Sequence, residues 1–282
     1  MTIQYDREIV FEPGQFPVSV NFRELLTPIK IGAPRFHAEL EFHFILHGNG
    51  NYFVRDASYP VKSNSVLMIG SEEIHAHSLE PGAKLSKICL MLSPCIFSKS
   101  QLAGVIKRLH HIRHLRLTAK QMATVEYLLQ SISHELDAKE IRHTEIILNY
   151  INCMLIILDR AAANTGHPEV NDNPLIKSAI QYIDQQFSED ISLSNMANYL
   201  GLSPCYLSSI FRRYIGLGFK EYLTQRRIIE AKKLLKSTQL KVTAIAYEVG
   251  FNSKSAFYKD FQILTGVTPN RFRINSTDAS SS

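Results

Sequence analysis

Between about residues 15 and 98, short apolar runs are separated by turn residues, and several runs alternate apolar and polar positions with a period of two. This alternation is typical of β-strands with one buried face. A hairpin is predicted where Glu39–Leu46 and Asn51–Arg55 flank the turn sequence His47–Gly50. Another turn is predicted at Asp56-Ala57-Ser58, and further strands at Ser65–Ile69 and Leu85–Leu92. An antiparallel β-barrel or sandwich hides sheet edges and is the expected fold here.

After Thr118 the period changes to three and four, which predicts two amphipathic helices. The first runs through Leu136, and the second carries the apolar run Ile146–Leu158. That second helix is apolar on more than one side, so it needs two covering surfaces. Burial within the chain is favoured, and a second copy of the chain stays open as the other cover. Residues 161–173, AAANTGHPEVNDN, are small, polar and interrupted by Gly and Pro, which predicts a linker.

The remainder of the chain contains an internal repeat. Ser192–Ser203 can be laid over Lys241–Asn252 at a shift of 49 residues, and the shift becomes 50 beyond the second turn. Each copy predicts a helix, a glycine turn and a second helix, with Gly201 and Gly250 supplying positive φ at the corner. Ser192 is expected to cap the first helix, and Ser203 or Asn252 the helix after each turn. This pattern is typical of helix-turn-helix units, whose second helix enters the DNA major groove.

The charge distribution agrees with a nucleic-acid partner. The chain has 282 residues and a formal net charge of +5. Residues 1–172 hold 17 Lys and Arg against 18 Asp and Glu, whereas residues 173–282 hold 14 against 8. The net charges are thus −1 and +6, and a basic second part favours binding to a polyanion. Between the two repeats, Phe219–Ser237 contains no Gly or Pro and predicts one continuous helix.

Residues 174–273 resemble the AraC/XylS family of bacterial transcription regulators. The matching positions include Ala197, Gly201, Leu202-Ser203-Pro204, Tyr206-Leu207, Phe211, Gly216, Tyr222, Arg227, Ala231, Leu234-Leu235, Ile245-Ala246, Glu248-Val249-Gly250-Phe251, Phe257, Phe261 and Gly266-Val267-Thr268-Pro269. The resemblance implies two helix-turn-helix subdomains joined by a long helix. It also implies base-reading positions at Cys205, Ser208, Ser209, Lys254, Ser255, Tyr258 and Lys259. Candidate phosphate contacts are Arg212, Arg213, Lys220, Arg226, Arg271 and Arg273.

The first part of the chain resembles the cupin motifs. Arg35-x-His37-x3-Glu41-x6-Gly48 is similar to the first motif, with Arg35 in place of its first metal-binding histidine. Residues Asn64 to His75 are similar to the second motif, less closely. Two hypotheses follow: His37, Glu41 and His75 hold a catalytic divalent metal, or the barrel is a non-catalytic effector pocket. The replaced histidine and the fused DNA-binding unit favour the pocket, with effector contacts from Arg35, His37, Glu41, His43 and His75.

The fold class predicted from these patterns is α+β. A cupin-like antiparallel β-barrel with two following helices (residues 1–160, effector binding and dimerisation) precedes the linker and an all-α double helix-turn-helix domain (174–282). No signal peptide is readable at the start, Ile146–Leu158 is too short to span a bilayer, and the four cysteines form no C-x-x-C pair. A cytoplasmic protein without cofactor, metal or membrane association is therefore expected.

The functional hypothesis is a sequence-specific DNA-binding transcription regulator, an activator responsive to a small polar effector such as a sugar or organic acid, and not an enzyme. Its expected partners are double-stranded DNA, a small-molecule effector, a second copy of the chain in a homodimer, and RNA polymerase. The alternative is a metal-dependent cupin enzyme with a DNA-tethering tail.

Overall fold

The computed structural model describes residue 11 and residues 15–26, 36–79, 83–97, 103–164 and 173–278. Arg35 lies outside the described residues, as does most of the predicted linker, residues 165–172.

The first part of the chain forms an antiparallel sheet whose strands are β1 (Val18–Leu26), β2 (Leu40–Val54), β3 (Ala57–Lys62), β4 (Ser65–Ile69), β5 (His75–Ser78), β6 (Lys84–Leu92) and β7 (His114–Arg116). The main strand order is β1-β6-β2-β4-β7, while β3 and β5 pair with the second half of β2. The long central strand β2 thus contacts four others, and all pairings are antiparallel. The predicted strands at 65–69 and 85–92 are confirmed as β4 and β6.

The hairpin predicted at His47–Gly50 is wrong. β2 continues through these residues as one strand of 15 residues, with a bulge against β6 between Ile45 and His47. Gly48 has a φ of +95°, and a Cβ there would lie 2.0 Å from the Lys84 carbonyl oxygen. Glycine is therefore required at this bulge. Because glycine is also typical of turns, the sequence of a bulge resembles that of a hairpin turn. The actual hairpin turn is at Arg55-Asp56, after which Ala57 and Ser58 already belong to β3.

Three helices follow or flank the sheet: α1 (Ala103–Ile112), α2 (Ala119–Ala138) and α3 (His143–Asn164). Thr118 caps α2 with a reciprocal capping box. One stripe of α3 is fully buried in a core shared with Phe42 and Phe44 of β2, which confirms burial of this face within the chain. By length and composition α3 also resembles a membrane-spanning helix, a property that buried core helices share. It ends at Asn164, so residues 161–164 are helical rather than linker.

The second part of the chain is all-α, with α4 (Pro174–Gln186), α5 (Leu193–Tyr199), α6 (Pro204–Ile215), α7 (Phe219–Ser237), α8 (Val242–Glu248), α9 (Lys254–Thr265) and α10 (Pro269–Asp278). The long helix α7 has the bounds that the sequence predicts. Its apolar residues join the core formed by both helix pairs, α5–α6 and α8–α9. Arg227 of α7 donates to the carbonyl oxygens of Phe187 and Glu189 (2.7 and 2.8 Å), which fixes the segment after α4.

The two helix-turn-helix units have the predicted caps, with one correction. Ser192 caps α5 and Ser203 caps α6, while Gly201 and Gly250 have φ of +68° and +90°. In the second unit Ser253, not Asn252, accepts the Ala256 N–H (3.2 Å) and caps α9. The inserted residue therefore lies before the cap, and α9 starts one residue later than the 49-residue shift implies.

Gly250 is expected to tolerate substitution much less well than Gly201. Both need positive φ, but a Cβ on Gly250 would lie 2.6 Å from the Ser188 carbonyl oxygen, whereas none of the described atoms lies within 4 Å of a Cβ on Gly201. Gly250→Ala should lower the free energy of unfolding by about 3 kcal/mol, and Gly201→Ala by about 1 kcal/mol. Urea denaturation followed by circular dichroism measures both. Equal losses would show that only the backbone conformation matters.

Candidate functional site

The second helix of each helix-turn-helix unit presents a polar face. On α6, Cys205, Ser208 and Ser209 are exposed, while Leu207 and Phe211 are buried on the opposite side. On α9, Lys254, Ser255 and Lys259 are exposed, whereas Tyr258 is half-buried. The ammonium group of Lys254 lies 5.5 Å from the centre of the Tyr258 ring. The predicted base-reading positions thus lie on exposed faces, with Tyr258 partly covered.

The predicted phosphate contacts divide into two groups. Arg212, Arg213, Lys220 and Arg271 are exposed on the helical domain. Arg226 instead pairs with Asp184 (2.7 Å) and Glu230 (3.1 Å), and its guanidinium group stacks over Phe187. Arg273 donates to the carbonyl oxygens of Leu235 and Leu240. The structure therefore gives Arg226 and Arg273 intramolecular partners, because both lie where helices of this domain meet.

In the β-domain, ionisable side chains converge on the buried carboxylate of Glu41. Its Oε2 atom lies 3.1 Å from His37 Nε2 and 3.2 Å from His75 Nε2. Its Oε1 atom lies 3.0 Å from His43 Nε2 and accepts a hydrogen bond from Cys89 Sγ at 2.8 Å. We call these five residues the Glu41 cluster. Four of the five predicted effector contacts are thereby brought together, and the fifth, Arg35, lies outside the described residues.

Cys89 and Lys87 were not predicted as site residues from the sequence, although both lie at the cluster on β6. Lys87 donates to His43 Nδ1 (3.1 Å) and to the Tyr52 hydroxyl (2.8 Å), and its side chain is buried. The hint in the sequence is a lysine within the mostly apolar run LSKICLML. The β2–β6 register brings it there, since His43 pairs with Cys89 and Ile45 with Lys87.

Burial and charge set the protonation states in the Glu41 cluster. Burial opposes ionisation of Glu41, but the surrounding histidines hold its pKa well below the usual range. Burial lowers the pKa of His43 to about 4, so this ring is neutral near pH 7. Burial also opposes the charged form of His37, yet its hydrogen bond with Glu41 and the nearby charges of Glu41 and Glu39 raise its pKa. Burial and the adjacent Glu41 raise the pKa of the Cys89 thiol, which is therefore protonated.

The loop between β4 and β5 connects the cluster to the helical domain. Glu73 binds Arg113 through two contacts and accepts the Gly70 N–H at 2.8 Å. Glu72 donates its N–H to the His37 carbonyl oxygen (2.6 Å), and its carboxylate pairs with Lys232 of α7 at 2.9 Å. Lys232 is buried between the two domains and also lies over the Phe36 ring. A series of contacts therefore runs from the His37 backbone through Glu72 and Lys232 to α7, the helix that joins the two helix-turn-helix units.

A cleft of about 600 Å³ lies between the two domains. Asn51, His77 and Ser78 line it from the sheet, and Arg213 and Tyr214 from α6. His77 also stacks on Tyr52, the partner of Lys87, with ring centres 5.5 Å apart. The cleft has both cationic and hydrogen-bonding groups, and His77 connects it to the polar interior of the sheet.

Comparison with known proteins assigns the class and then the family. Residues 30–140 match the model of an AraC-like ligand-binding domain, and residues 196–275 match a helix-turn-helix domain. A ligand-binding domain joined to a DNA-binding domain defines a DNA-binding regulator with a ligand-binding module. The two models together match more than half of the chain. The chain therefore belongs to the AraC family of transcription regulators. The α+β fold class, with an antiparallel sheet, helices and a helical second domain, is confirmed.

The relatives are regulators too. The chain is 34% identical to the regulatory protein PocR of Salmonella typhimurium (strain LT2) over 113 residues. This match covers 40% of this chain and 37% of PocR. An uncharacterized HTH-type transcriptional regulator of Staphylococcus aureus is 25% identical over 238 residues, 82% of this chain and 31% of that protein. The chain thus spans about a third of the length of these relatives. The structure of fatty-acid-bound ToxT from Vibrio cholerae matches 92% of this chain and 95% of its own, at 16% identity and a TM-score of 0.39.

Proposed function

We propose that this chain is a sequence-specific DNA-binding transcription regulator of the bacterial cytoplasm, an activator controlled by a small polar effector such as a sugar or organic acid. The observation that carries the proposal is the pair of exposed polar helices, α6 and α9, held by the continuous helix α7. A 19-residue helix is about 28 Å long, which suits two helices entering successive major grooves about 34 Å apart.

The effector site in this proposal is the Glu41 cluster together with the adjacent cleft. Support comes from the convergence of His37, His43 and His75 on one carboxylate inside the ligand-binding domain. Buried polar groups of this kind fix the orientation of a small ligand. The cleft supplies the volume that a sugar or organic acid needs, and His77 lines the cleft and stacks on Tyr52, whose hydroxyl lies 3.5 Å from His43 Nδ1 of the cluster.

A homodimer and a contact with RNA polymerase complete the proposal. The dimer is supported by apolar side chains left exposed on α2 and α3, namely Tyr127, Ile146 and Ile156. Such an exposed apolar face suits a second copy of the chain, which would place two DNA-binding domains on one promoter.

DNA binding is expected to be strongly salt-dependent. Substitutions of the basic residues are expected to have two kinds of effect, one on the salt dependence and one on the sequence preference. Each of Arg212→Ala, Arg213→Ala and Arg271→Ala should reduce the slope of log affinity against log salt by about 1, if each arginine neutralises one phosphate. Lys254→Ala should cost about 1–3 kcal/mol of binding free energy at particular bases only, because a lysine on α9 that reads a base edge contributes sequence preference. Fluorescence anisotropy of the full chain with duplexes selected from random sequence measures both effects.

Lys120→Ala is the matched control, since Lys120 is an exposed lysine on α2 of the other domain. Its salt slope and sequence preference should equal those of the unmodified chain. A uniform loss of affinity over all sequences for Lys254→Ala would assign Lys254 to phosphate contact. Failure of the full chain to bind any duplex at low salt would overturn the proposed function.

A further inference from the structure

We propose that the second helix-turn-helix unit sets most of the base preference of the DNA site, with Lys254 selecting guanine and Tyr258 positioning Lys254. The first unit then binds mainly to the phosphate backbone. This inference rests on the proposed function and adds which of the two helices discriminates between bases, and which base it selects. The observation behind it is a difference between equivalent positions of α6 and α9.

The helices α6 and α9 can be compared residue by residue because they have the same frame. Each has 12 residues and begins directly after a serine cap, Ser203 or Ser253. Each also ends at a glycine with positive φ, Gly216 or Gly266. A shift of 50 residues therefore aligns the two helices along their whole length. Differences between equivalent exposed positions thus describe the surface that each helix offers to DNA.

The surface of α6 suits phosphates better than bases. Recognition helices read base edges with residues near their N-terminus. The exposed residues in the first half of α6 include Cys205, Ser208 and Ser209, whose side chains end one atom beyond Cβ. A serine hydroxyl both donates and accepts hydrogen bonds, so it can bind the edge of any base. The arginines of α6, Arg212 and Arg213, lie in its last turn, away from the base-reading end.

In α9 the positive charge lies at the base-reading end. Lys254 is the first residue of this helix, and Lys259 occupies the position that Ser209 has in α6. An ammonium group only donates hydrogen bonds, and guanine presents two adjacent acceptors, N7 and O6, in the major groove. Adenine has a donor beside its N7, and cytosine presents a donor there. A lysine at the start of α9 therefore favours guanine.

The position of Lys254 is unfavourable for the stability of α9. The N-terminus of a helix carries a partial positive charge, so a cation in the first turn is disfavoured. Lys254 is exposed, and the cap of this helix is Ser253, which accepts the Ala256 N–H. Neither capping nor the helix dipole thus accounts for a lysine at this position, whereas contact with DNA does.

Tyr258 restricts the position of the Lys254 ammonium group. This group lies 5.5 Å from the centre of the Tyr258 ring, one turn further along α9. The ring is half-buried and packs edge-on against Phe257, with ring centres 5.9 Å apart. Its hydroxyl lies 3.5 Å from Asn270 Nδ2 of α10. A cation held over a fixed ring loses less conformational freedom on binding than an unrestrained lysine, so Tyr258 prepares Lys254 for the base.

The test is a selection of binding sites from random duplexes with the full chain. A guanine should be preferred in one half-site, and the other, about 10 base pairs away, should accept the four bases more evenly. Lys254→Ala should reduce the preference for that guanine by about 5–150-fold. Tyr258→Ala should reduce it by about 2–5-fold, whereas Tyr258→Phe keeps the ring and should retain it.

A positioning role for Tyr258 is distinguished from a purely structural one by its dependence on Lys254. In the Lys254→Ala background, Tyr258→Ala should have no further effect on the guanine preference, because no ammonium group is left to position. The slope of log affinity against log salt should be the same for Tyr258→Ala as for the unmodified chain. Circular dichroism checks that each variant is folded.

Variants of α6 test the other half of the proposal. Ser208→Ala and Tyr206→Phe each remove an exposed hydroxyl and should change the relative affinities for the four bases by less than about twofold. Ser209→Lys introduces the residue that α9 has at the equivalent position, and it should create a guanine preference in the weaker half-site. Lys241→Ala is the matched control, since Lys241 is an exposed lysine of the second unit outside α9, and it should keep the guanine preference.

Two results would overturn the proposal. One is equal discrimination between bases in both half-sites; the other is a guanine preference that a folded Lys254→Ala protein retains in full. In either case the chain still binds DNA selectively, so the proposed function stands. Failure of the full chain to bind any duplex at low salt would instead overturn the proposed function, and this inference with it.

Discussion

Glu73→Ala is expected to lower the free energy of unfolding by about 3 kcal/mol or more. Glu73 is buried, binds Arg113 through both carboxylate oxygens, and accepts the N–H of Gly70. Alanine would leave the largely buried guanidinium group of Arg113 without this partner, and burying an uncompensated charge is costly. Urea denaturation monitored by circular dichroism measures the loss.

A double-mutant cycle tests whether the cost comes from the ion pair. Arg113→Ala added to Glu73→Ala should cost less than the sum of the two single changes, because no unpaired charge then remains. Additive losses would mean that Glu73 acts mainly through the backbone of the loop between β4 and β5, for example through the Gly70 N–H.

The same carboxylate predicts a pH dependence. Burial alone would raise the pKa of Glu73, but His110, Arg113 and the Gly70 N–H hold it well below its usual value. A carboxyl group with a depressed pKa in the folded state stabilises the fold above the unfolded pKa of about 4.3, and this stabilisation is lost as the pH falls below it. Between pH 5 and pH 3 the unmodified chain should therefore lose more stability than Glu73→Gln. Parallel decreases in both proteins would contradict this assignment.

The helical domain could be predicted from the sequence in detail because its signals are local. Caps, glycine corners and the uninterrupted stretch Phe219–Ser237 each depend on residues a few positions apart, and the repeat shows them twice. The wrong prediction of Asn252 as the cap of α9 also comes from reliance on local signals. Asn252 and Ser253 are both good capping residues, so the local sequence does not distinguish them, and only the observed start of α9 shows that Ser253 is the cap.

The β-domain was less predictable because its decisive contacts are distant in sequence. The alternation of residues around His47–Gly50 fits a hairpin or a bulged strand equally well, and the pairing of β2 with β6 decides between them. Motif spacing pointed to His37, Glu41 and His75, and the alternation of residues along a strand added His43. Cys89 reaches the Glu41 carboxylate, and Lys87 reaches His43, only because β6 lies antiparallel to β2, which no short-range pattern encodes.

Glu72→Ala is expected to lower the free energy of unfolding by about 3 kcal/mol, because it removes an ion pair between the two domains. Lys232 is 1% exposed, and its ammonium group lies 2.9 and 3.0 Å from the two carboxylate oxygens of Glu72. Removal of the carboxylate leaves a buried ammonium group without this counter-charge. Lys232→Met keeps much of the side-chain volume without the charge, so Glu72→Ala should cost far less in that background. Urea denaturation of the four proteins in this cycle gives the coupling free energy.

The next lysine in the sequence provides the control that makes the result specific to the domain contact. Lys233 pairs with Glu230 on the same helix at 3.1 Å, but its side chain is 57% exposed, so Lys233→Met should change stability by less than about 1 kcal/mol. Because the Glu72 N–H binds the His37 carbonyl oxygen, the Lys232–Glu72 pair joins the segment before β2, which carries His37 of the Glu41 cluster, to α7. Glu72→Ala should therefore also weaken any effect of a cluster ligand on DNA affinity. An unchanged effect, with the stability loss present, would mean that the pair holds the domains together without transmitting the signal.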